Sequence, residues 1–419
     1  MSEPISVPSP ASSFAFSCDV LVVGAGPAGS ACAQRLASAG CDVVLADQSN
    51  FPRDKVCGDG LIPDAHAAFR RLGVHDEVAA AALKVSHVRC VGPRGGMVDV
   101  AGKLSVLPRK VLDHILVRAA ERAGARLLTP WRFESPIVED GRVVGARFKV
   151  ADAVQEVRAR WVVLATGAVP QALIAAGLCD RRTPSGVALR GYVRHEAMAA
   201  RQATAGRQLQ LVWHSRLRGG YGWIFPAPGG LFNIGAGLTG SHITQRNGKS
   251  RMHDVNLRSM FDAFCELHPP AAELMRDGEL QGEIKGAPLR CSLVGARASR
   301  PGMLATGEAI GSTYAFSGEG IGKAMETGLL AAEVLLAPGL PNDDQVRQAY
   351  DAGLKTLKPR FDLYETASHV NQHPWLADLV VWRARKSPRI LQRLSGVLEE
   401  TQNPGRLFSW RGMTKLMLE

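Results

Sequence analysis

Apolar residues along the first third of the chain come in short unbroken runs rather than in alternation. "DVLVV" (Asp19–Val23) and "DVVLA" (Asp42–Ala46) are rich in β-branched residues, the pattern of strands covered on both faces in a parallel sheet. The stretch "SACAQRLASAG" between them has helical character and closes at Gly40, a C-cap residue type. "KLSVLPRKVLDHILVRAAERAGARLL" reads strand, helix, strand, with Leu112, Ile115, Leu116 and Ala119 at core-facing helical spacing. "ARWVVLATGAVPQ" is another buried strand. "GMLATGEAIGSTYAFSGEGIGKAMETGLLAAEVLL" combines a strand, a glycine-rich acidic turn and a long helix. Alternation takes over from about Ser185 to Arg290, in "GVALRGYVRHE", "QLQLVWHS" and "GYGWIFPAPGGLFNIGAGL", which predict an antiparallel sheet. "VSHVRCVGPRGGMVDVAGKLSVLPR" is expected to join it. After "APGLPNDDQ", two amphipathic stretches predict helices, the second being "WLADLVVWRARKSPRILQRLSGVLEE".

The expected fold class is therefore α/β: a Rossmann-type dinucleotide domain, an inserted antiparallel sheet and a C-terminal helical region. The nucleotide domain is assigned to residues 18–85, 108–184 and 291–340, the sheet domain to 86–107 and 185–290, and the helical region to 341–419. The Pro/Ser-rich start, residues 1–17, reads as a disordered tail and lacks the basic and apolar regions of a signal peptide.

Chemistry enters with Gly24-x-Gly26-x-x-Gly29, which sits between the first strand and its helix. Gly24 permits the tight turn, Gly26 admits a pyrophosphate to backbone N–H groups, and Gly29 lets the helix pack on the strand. Asp47, at the end of the second strand, is placed to accept from a ribose. Strand, glycines, helix, strand and acid together specify a dinucleotide, with FAD or NAD favoured over NADP.

Composition narrows the partners. The chain has 419 residues, 46% hydrophobic, and a net charge of +11 from 50 Lys and Arg against 39 Asp and Glu. A basic balance suits a solvated surface or the steering of anionic dinucleotides, diphosphates, acidic carriers or anionic lipid. No Lys/Arg run interleaved with aromatics is present, which excludes a nucleic-acid partner of the usual kind. No apolar run reaches about 18 residues, so no transmembrane helix is expected. The eight cysteines include no CxxC and no ligand-like spacing, so no metal site is expected and reduced thiols in a cytoplasmic protein are.

Five stretches in order, the GxGxxG unit, "KVCGDG", "LPRKVLDHIL", "YGWIFP" and "GEAIG…SGEGIGKAMETG", resemble the FAD-dependent family of geranylgeranyl reductases within the para-hydroxybenzoate hydroxylase-like fold. The resemblance runs from Asp19 to about Leu336. It implies that Gly24, Gly26, Gly29 and Asp47 hold the ADP half of FAD and that Arg109 lies near the ribityl and diphosphate. Glu308, where relatives usually carry Asp, would approach the ribityl and diphosphate. Gly318, Gly320 and Ile321 would bring backbone to the isoalloxazine. Thr166 stands where aromatic hydroxylases carry Asp, so NAD(P)H and a separate reductase, a partner protein, both stay open as electron donor.

"YGWIFP" places Tyr221, Trp223 and Phe225 at period two, on one face of a strand. That face is either a packing surface or an aromatic substrate wall, which the resemblance implies. In "PRDKVCGDGL", Cys57 and Asp59 are the catalytic candidates. A thiol, or a water held near Asp59, can supply a proton at neutral pH; the structural reading is a tight loop closing over FAD. Arg53 and Lys55 can pair with phosphates. The expected activity is FAD-dependent reduction of a carbon–carbon double bond in an isoprenoid or other apolar substrate, free, lipid or carrier-bound. The alternative is a flavin monooxygenase acting on an aromatic or peptide- or carrier-bound group. The last basic, Trp-containing helix packs on the protein or contacts a membrane peripherally.

Overall fold

The computed structural model describes residues 14–240, 242–244, 250–252, 256–339, 342–399 and 402. The first strand, Phe14–Val23, is longer than expected, beginning inside the stretch read as a tail; residues 1–13 lie outside the described residues. It is paired in parallel with Val43–Ala46 on one side and Ala153–Leu164 on the other. Arg126–Leu128 and Met303–Ala305 extend this parallel core outward. The strand order reverses at Phe14–Val23, so the carboxyl ends of three strands open into one crevice.

Both faces of this sheet are covered, which explains the unbroken apolar runs. Val20 and Val22 join a core with Leu36, Val43, Leu45 and Val117 on the side of helices Pro27–Ala37 and Arg109–Arg122. Leu21, Val23, Val44 and Ala46 join another with Phe148 and Val157. Arg132–Glu139 and Arg142–Val150 form the antiparallel meander that supplies Phe148.

Among the described residues the second sheet holds nine strands, and all but one of its pairings are antiparallel. Gly186–Arg194, Leu231–Thr239, Gly220–Ala227 and Gln208–Val212 run side by side. Leu83–Val91 joins Gln208–Val212 in parallel and leads through Met97–Val106 to the short strand Gly60–Leu61. The chain thus enters this sheet at Gly60, well before residue 86.

Helices Glu196–Ala205, Leu257–Leu267 and Pro269–Asp277 interrupt a region expected to be strands. The helix Leu257–Leu267 seats Met260, Phe261 and Phe264 in the core with Ile224 and Ile234. Toward the C-terminus, Val381, Ala384 and Ile390 pack on Val98 and Val100. The expected final helix is two, Trp375–Lys386 and Pro388–Leu398. They break at Ser387, whose extended backbone is the conformation favoured before proline.

Gly29 ties the glycine turn to this architecture. A Cβ there would lie 1.8 Å from the Gly24 carbonyl oxygen. Gly29→Ala is expected to cost about 1–3 kcal/mol or more through backbone overpacking, read as a lowered melting temperature of flavin-free protein. An unchanged melting temperature would contradict this account of the turn.

Candidate functional site

A cavity of about 1240 Å³ lies between the two sheets and reaches the C-terminal helices. Gly24, Gly26, Asp47, Arg53, Arg109 and Thr166 line one end. Gly24 adopts φ +100°, and a Cβ on it would lie 2.4 Å from the Ala165 carbonyl oxygen. A Cβ on Gly26 would meet nothing closer than the Nη2 atoms of Arg53, at 3.7 Å, and Arg109, at 3.8 Å. Two guanidinium groups therefore flank open space above the glycine turn.

One buried carboxylate orients both arginines. Arg109, the first residue of its helix, donates from Nε and Nη2 to Asp113 at 2.6 and 2.8 Å. Arg53 Nη1 lies 3.1 Å from the same carboxylate, and its Nη2 is 3.7 Å from Asp47. Asp47 in turn accepts from the backbone N–H groups of Ala25 and Ser49, at 2.8 and 2.9 Å. Each of its oxygens keeps a second lone pair for a hydroxyl.

The glycine-rich segment completes this wall. Gly318 sits at φ +71°, and the helix Ile321–Leu336 starts at Gly320 without a side-chain cap. Glu308, Gly318, Gly320 and Ile321 all border the cavity, so the N–H groups that open the helix meet it with their partial positive charge. Glu308 accepts from Thr313 Oγ1 at 3.4 Å. Thr166 and Ser317 also line the cavity, and among the described residues their hydroxyls are buried without a hydrogen-bond partner. Paired guanidiniums, an open helix start, a ribose-competent acid and two orphaned hydroxyls fit a polar dinucleotide. Gly29 lies behind the turn and acts through packing.

The loop Pro52–Leu61 joins the two ends. Asp59 is fully buried at φ +65°. Its carboxylate accepts from the Arg109 backbone N–H at 3.3 Å, from Asn233 Nδ2 at 2.8 Å and from the Tyr192 hydroxyl. Asn233 also donates to the Cys57 carbonyl at 2.7 Å and accepts from Trp223 Nε1 at 2.9 Å. Arg190, stacked 4.2 Å from the Tyr192 ring centroid, pairs with Asp54 and donates to the Lys55 carbonyl at 3.1 Å. Burial raises the Asp59 pKa to about 6, outweighing its hydrogen bonds from Tyr192 and Asn233 and the nearby arginines.

Cys57 borders the cavity, and its sulfur accepts from the Asp59 N–H at 3.4 Å. Burial raises the thiol pKa above its ordinary value against the opposing pull of Arg109. The group is therefore a protonated thiol at neutral pH, and the same burial makes it a weaker acid than an exposed cysteine.

Tyr221, Trp223 and Phe225 border the cavity together, their successive ring centroids 6.3 and 6.4 Å apart. Each ring also has a mechanical task. Phe225 lies against Gly58 and Gly60, where added Cβ atoms would stand 3.3 and 3.6 Å from its edge. Trp223 lies over Gly235, and the Tyr221 hydroxyl donates to the Ser317 carbonyl. Beyond them the lining turns apolar: Val88, Cys90 and Leu211 from the sheet face Val380, Leu394 and Val397 from the C-terminal helices.

Tyr192, Arg190 and Asn233 were not singled out from the sequence. Asn233 carried one signal, a lone amide inside the apolar run "LFNIGAG". His214, the histidine flanking this region, caps the turn Ser215–Leu217 by accepting from the Arg216 N–H. Among the described residues no group of three or more His, Cys, Asp or Glu is placed to hold a metal ion.

Two substitutions test this geometry. Gly26→Ala should leave the melting temperature of flavin-free protein near the wild-type value while cutting FAD retention after gel filtration by about tenfold or more, since a methyl would enter the space between the guanidiniums. Full retention would contradict the placement. Asp59→Asn turns an NH2 toward groups that already donate, with an expected cost of about 1–3 kcal/mol. The folded-state Asp59 pKa lies above its ordinary value of 3.8. Its contribution to stability is thus greatest below about pH 4 and is lost as pH rises through about 6. The stability of wild type relative to the Asn variant should fall across that window in urea titrations, and a flat difference would contradict the burial.

Known proteins resemble this chain in sequence and in fold. A family model described as "FAD binding domain" matches residues 17–221. A menaquinone reductase of Mycobacterium tuberculosis is 34% identical over 332 residues, covering 76% of each chain. Digeranylgeranylglycerophospholipid reductase 1 of Methanopyrus kandleri is 29% identical, covering 75% of this chain and 80% of its own. The crystal structure of a geranylgeranyl bacteriochlorophyll reductase-like protein from Thermoplasma acidophilum shares the fold, with a TM-score of 0.68, 23% identity and 96% of each chain covered. The glycine turn, the guanidinium pair and the apolar continuation of the cavity accordingly belong to an FAD-dependent oxidoreductase, and this chain is a member of the geranylgeranyl reductase family.

Proposed function

We propose that the protein reduces a carbon–carbon double bond in an isoprenoid chain or a similarly apolar substrate. One observation carries this reading: a single cavity of about 1240 Å³ is lined by the glycine turn, by Cys57, by the aromatic strand and by apolar side chains that include Val380, Leu394 and Val397. A passage of that lining desolvates a long hydrocarbon and offers its walls no polar competition. The reductases among the relatives support the same chemistry.

In this reading Gly24, Gly26, Arg53 and Arg109 hold the FAD diphosphate and Asp47 its ribose. Glu308, Thr166 and Ser317 bind hydroxyls or ring edges, while Gly318, Gly320 and Ile321 supply the open helix start. Bound FAD supplies, when reduced, the hydride that one carbon of the double bond takes. The other carbon needs a proton, and Cys57 is the donor: it borders the cavity and stays protonated at neutral pH. The thiolate left behind keeps the Asp59 N–H as a hydrogen-bond donor and the Arg109 charge nearby until solvent returns the proton. Asp59 serves as a positioning residue, because its carboxylate accepts from three groups that hold the loop. Tyr221, Trp223 and Phe225 form the wall against which the substrate chain lies.

The test uses holoprotein reduced anaerobically with dithionite, then mixed with prenylated quinones and geranylgeranyl lipids. Flavin reoxidation with a product heavier by two hydrogens is expected. Oxygen-dependent incorporation of a hydroxyl, with no reoxidation by any prenyl acceptor, would overturn the reading. Cys57→Ala should lower the reoxidation rate by about 10²-fold, the ordinary scale of general-acid catalysis, while FAD content and reduction by dithionite hold. A wild-type rate would remove Cys57 as the donor, and loss of FAD would make it a structural loop residue.

A further inference from the structure

The helix Trp375–Lys386 carries apolar residues on opposite sides, and the cavity accounts for one side alone. Ala377, Val380 and Val381 of Trp375–Lys386, with Leu394, Val397 and Leu398 of Pro388–Leu398, border the cavity. Away from it, Trp375 and Trp382 are 58% and 48% exposed. They are seven residues apart, two helical turns, and so share a face.

The charge around these rings has one sign. Arg383, Arg385, Lys386, Arg389 and Arg393 stand on this helix pair against one carboxylate between residues 375 and 398, Asp378. Arg385, Lys386 and Arg389 are exposed, and Lys386 Nζ lies 4.6 Å from the Trp382 ring centroid. Asp378 is itself occupied, accepting from the Arg94 N–H at 3.0 Å with Arg94 Nε at 3.8 Å, and the Arg94 side chain is 88% exposed. The surface therefore presents two exposed indole rings, Lys386 against that of Trp382, with Arg385 and Arg389 exposed on the same helix pair.

Indole rings favour the boundary between headgroups and acyl chains, and clustered cations are drawn to anionic headgroups. Among the described residues no helix is long and apolar enough to cross a membrane, so such a surface works by lying on one. We propose that this helix pair docks the protein on an anionic phospholipid bilayer, Trp375 and Trp382 inserted at the interface, with the apolar cavity directly behind. A helix is about 10 Å across with its side chains, so a lipid-soluble substrate leaving the bilayer has a short path to the cavity wall. The docking stands on the surface itself; the path for substrate rests on the function proposed above.

Flotation of holoprotein with vesicles tests it, using phosphatidylglycerol/phosphatidylcholine against phosphatidylcholine alone. Wild type is expected to float with the anionic vesicles, less so as salt rises. The paired substitution Trp375→Ala/Trp382→Ala, and separately Arg385→Glu/Lys386→Glu/Arg389→Glu, should each weaken partitioning by about tenfold or more. FAD content, melting temperature and turnover of a short, detergent-free soluble prenyl acceptor should be unchanged, which shows that the variants fold. Absence of wild-type flotation, or equal flotation of the tryptophan variant, overturns the proposal. So does a tryptophan variant whose oligomeric state changes while wild type ignores vesicles, since the patch is then an interface between copies. Flotation without reduction of any prenyl acceptor overturns the proposed function and leaves the docking standing; reduction without flotation does the reverse.

Discussion

The structure turns on one buried carboxylate. Asp59 accepts from the backbone at the start of the Arg109 helix, which belongs to the nucleotide lobe, and from Tyr192 and Asn233, which belong to the second sheet. A carboxylate this deep survives because donors surround it from both lobes. The same three bonds fix the separation of the lobes and hold the loop that carries Cys57. Arg190, lying against Tyr192 and paired with Asp54, secures the loop's other end. The chemistry of the site and the docking of its halves are one network.

Two consequences follow from pinning the loop there. Gly58 and Gly60 come up against Phe225, and Cys57 beside them lines the cavity while packing against the buried cluster of Leu61 and Phe69. The low-dielectric surroundings then favour the neutral thiol, although Arg109 pulls the other way. On the nucleotide side, Asp113 and, at 3.7 Å from Arg53, Asp47 balance the two arginines and hold both guanidinium groups beside the glycine turn. Cation and proton donor are thus held by the same helix start and the same loop.

Much of this was legible along the chain. The unbroken runs at Asp19–Val23 and Asp42–Ala46 announced strands covered on both faces, and the glycine spacing announced the turn, because both are local consequences of backbone sterics and burial. "YGWIFP" likewise placed three aromatics on one side of a strand. Partners brought together by tertiary packing were hidden. Tyr192 and Asn233 lie 133 and 174 residues from Asp59, and nothing local marks them as its donors. Reading Asp59 as a site for catalytic water could not include its hold on the loop, which rests on these distant donors. The helices inside the second sheet escaped for a related reason: Leu257–Leu267 owes its place to Phe261 and Phe264 packing on the sheet. The break at Ser387 was visible as Ser-Pro, yet the apolar period running through it suggested a single helix.

A crystal structure of holoprotein with a bound isoprenoid quinone or lipid tests the central claim most directly. The expected density has the flavin ring system at the loop of Cys57 and Gly58, and the hydrocarbon running between the second sheet and the helices of Val380 and Leu394. A flavin distant from the loop, or a chain bound outside that passage, would contradict the account.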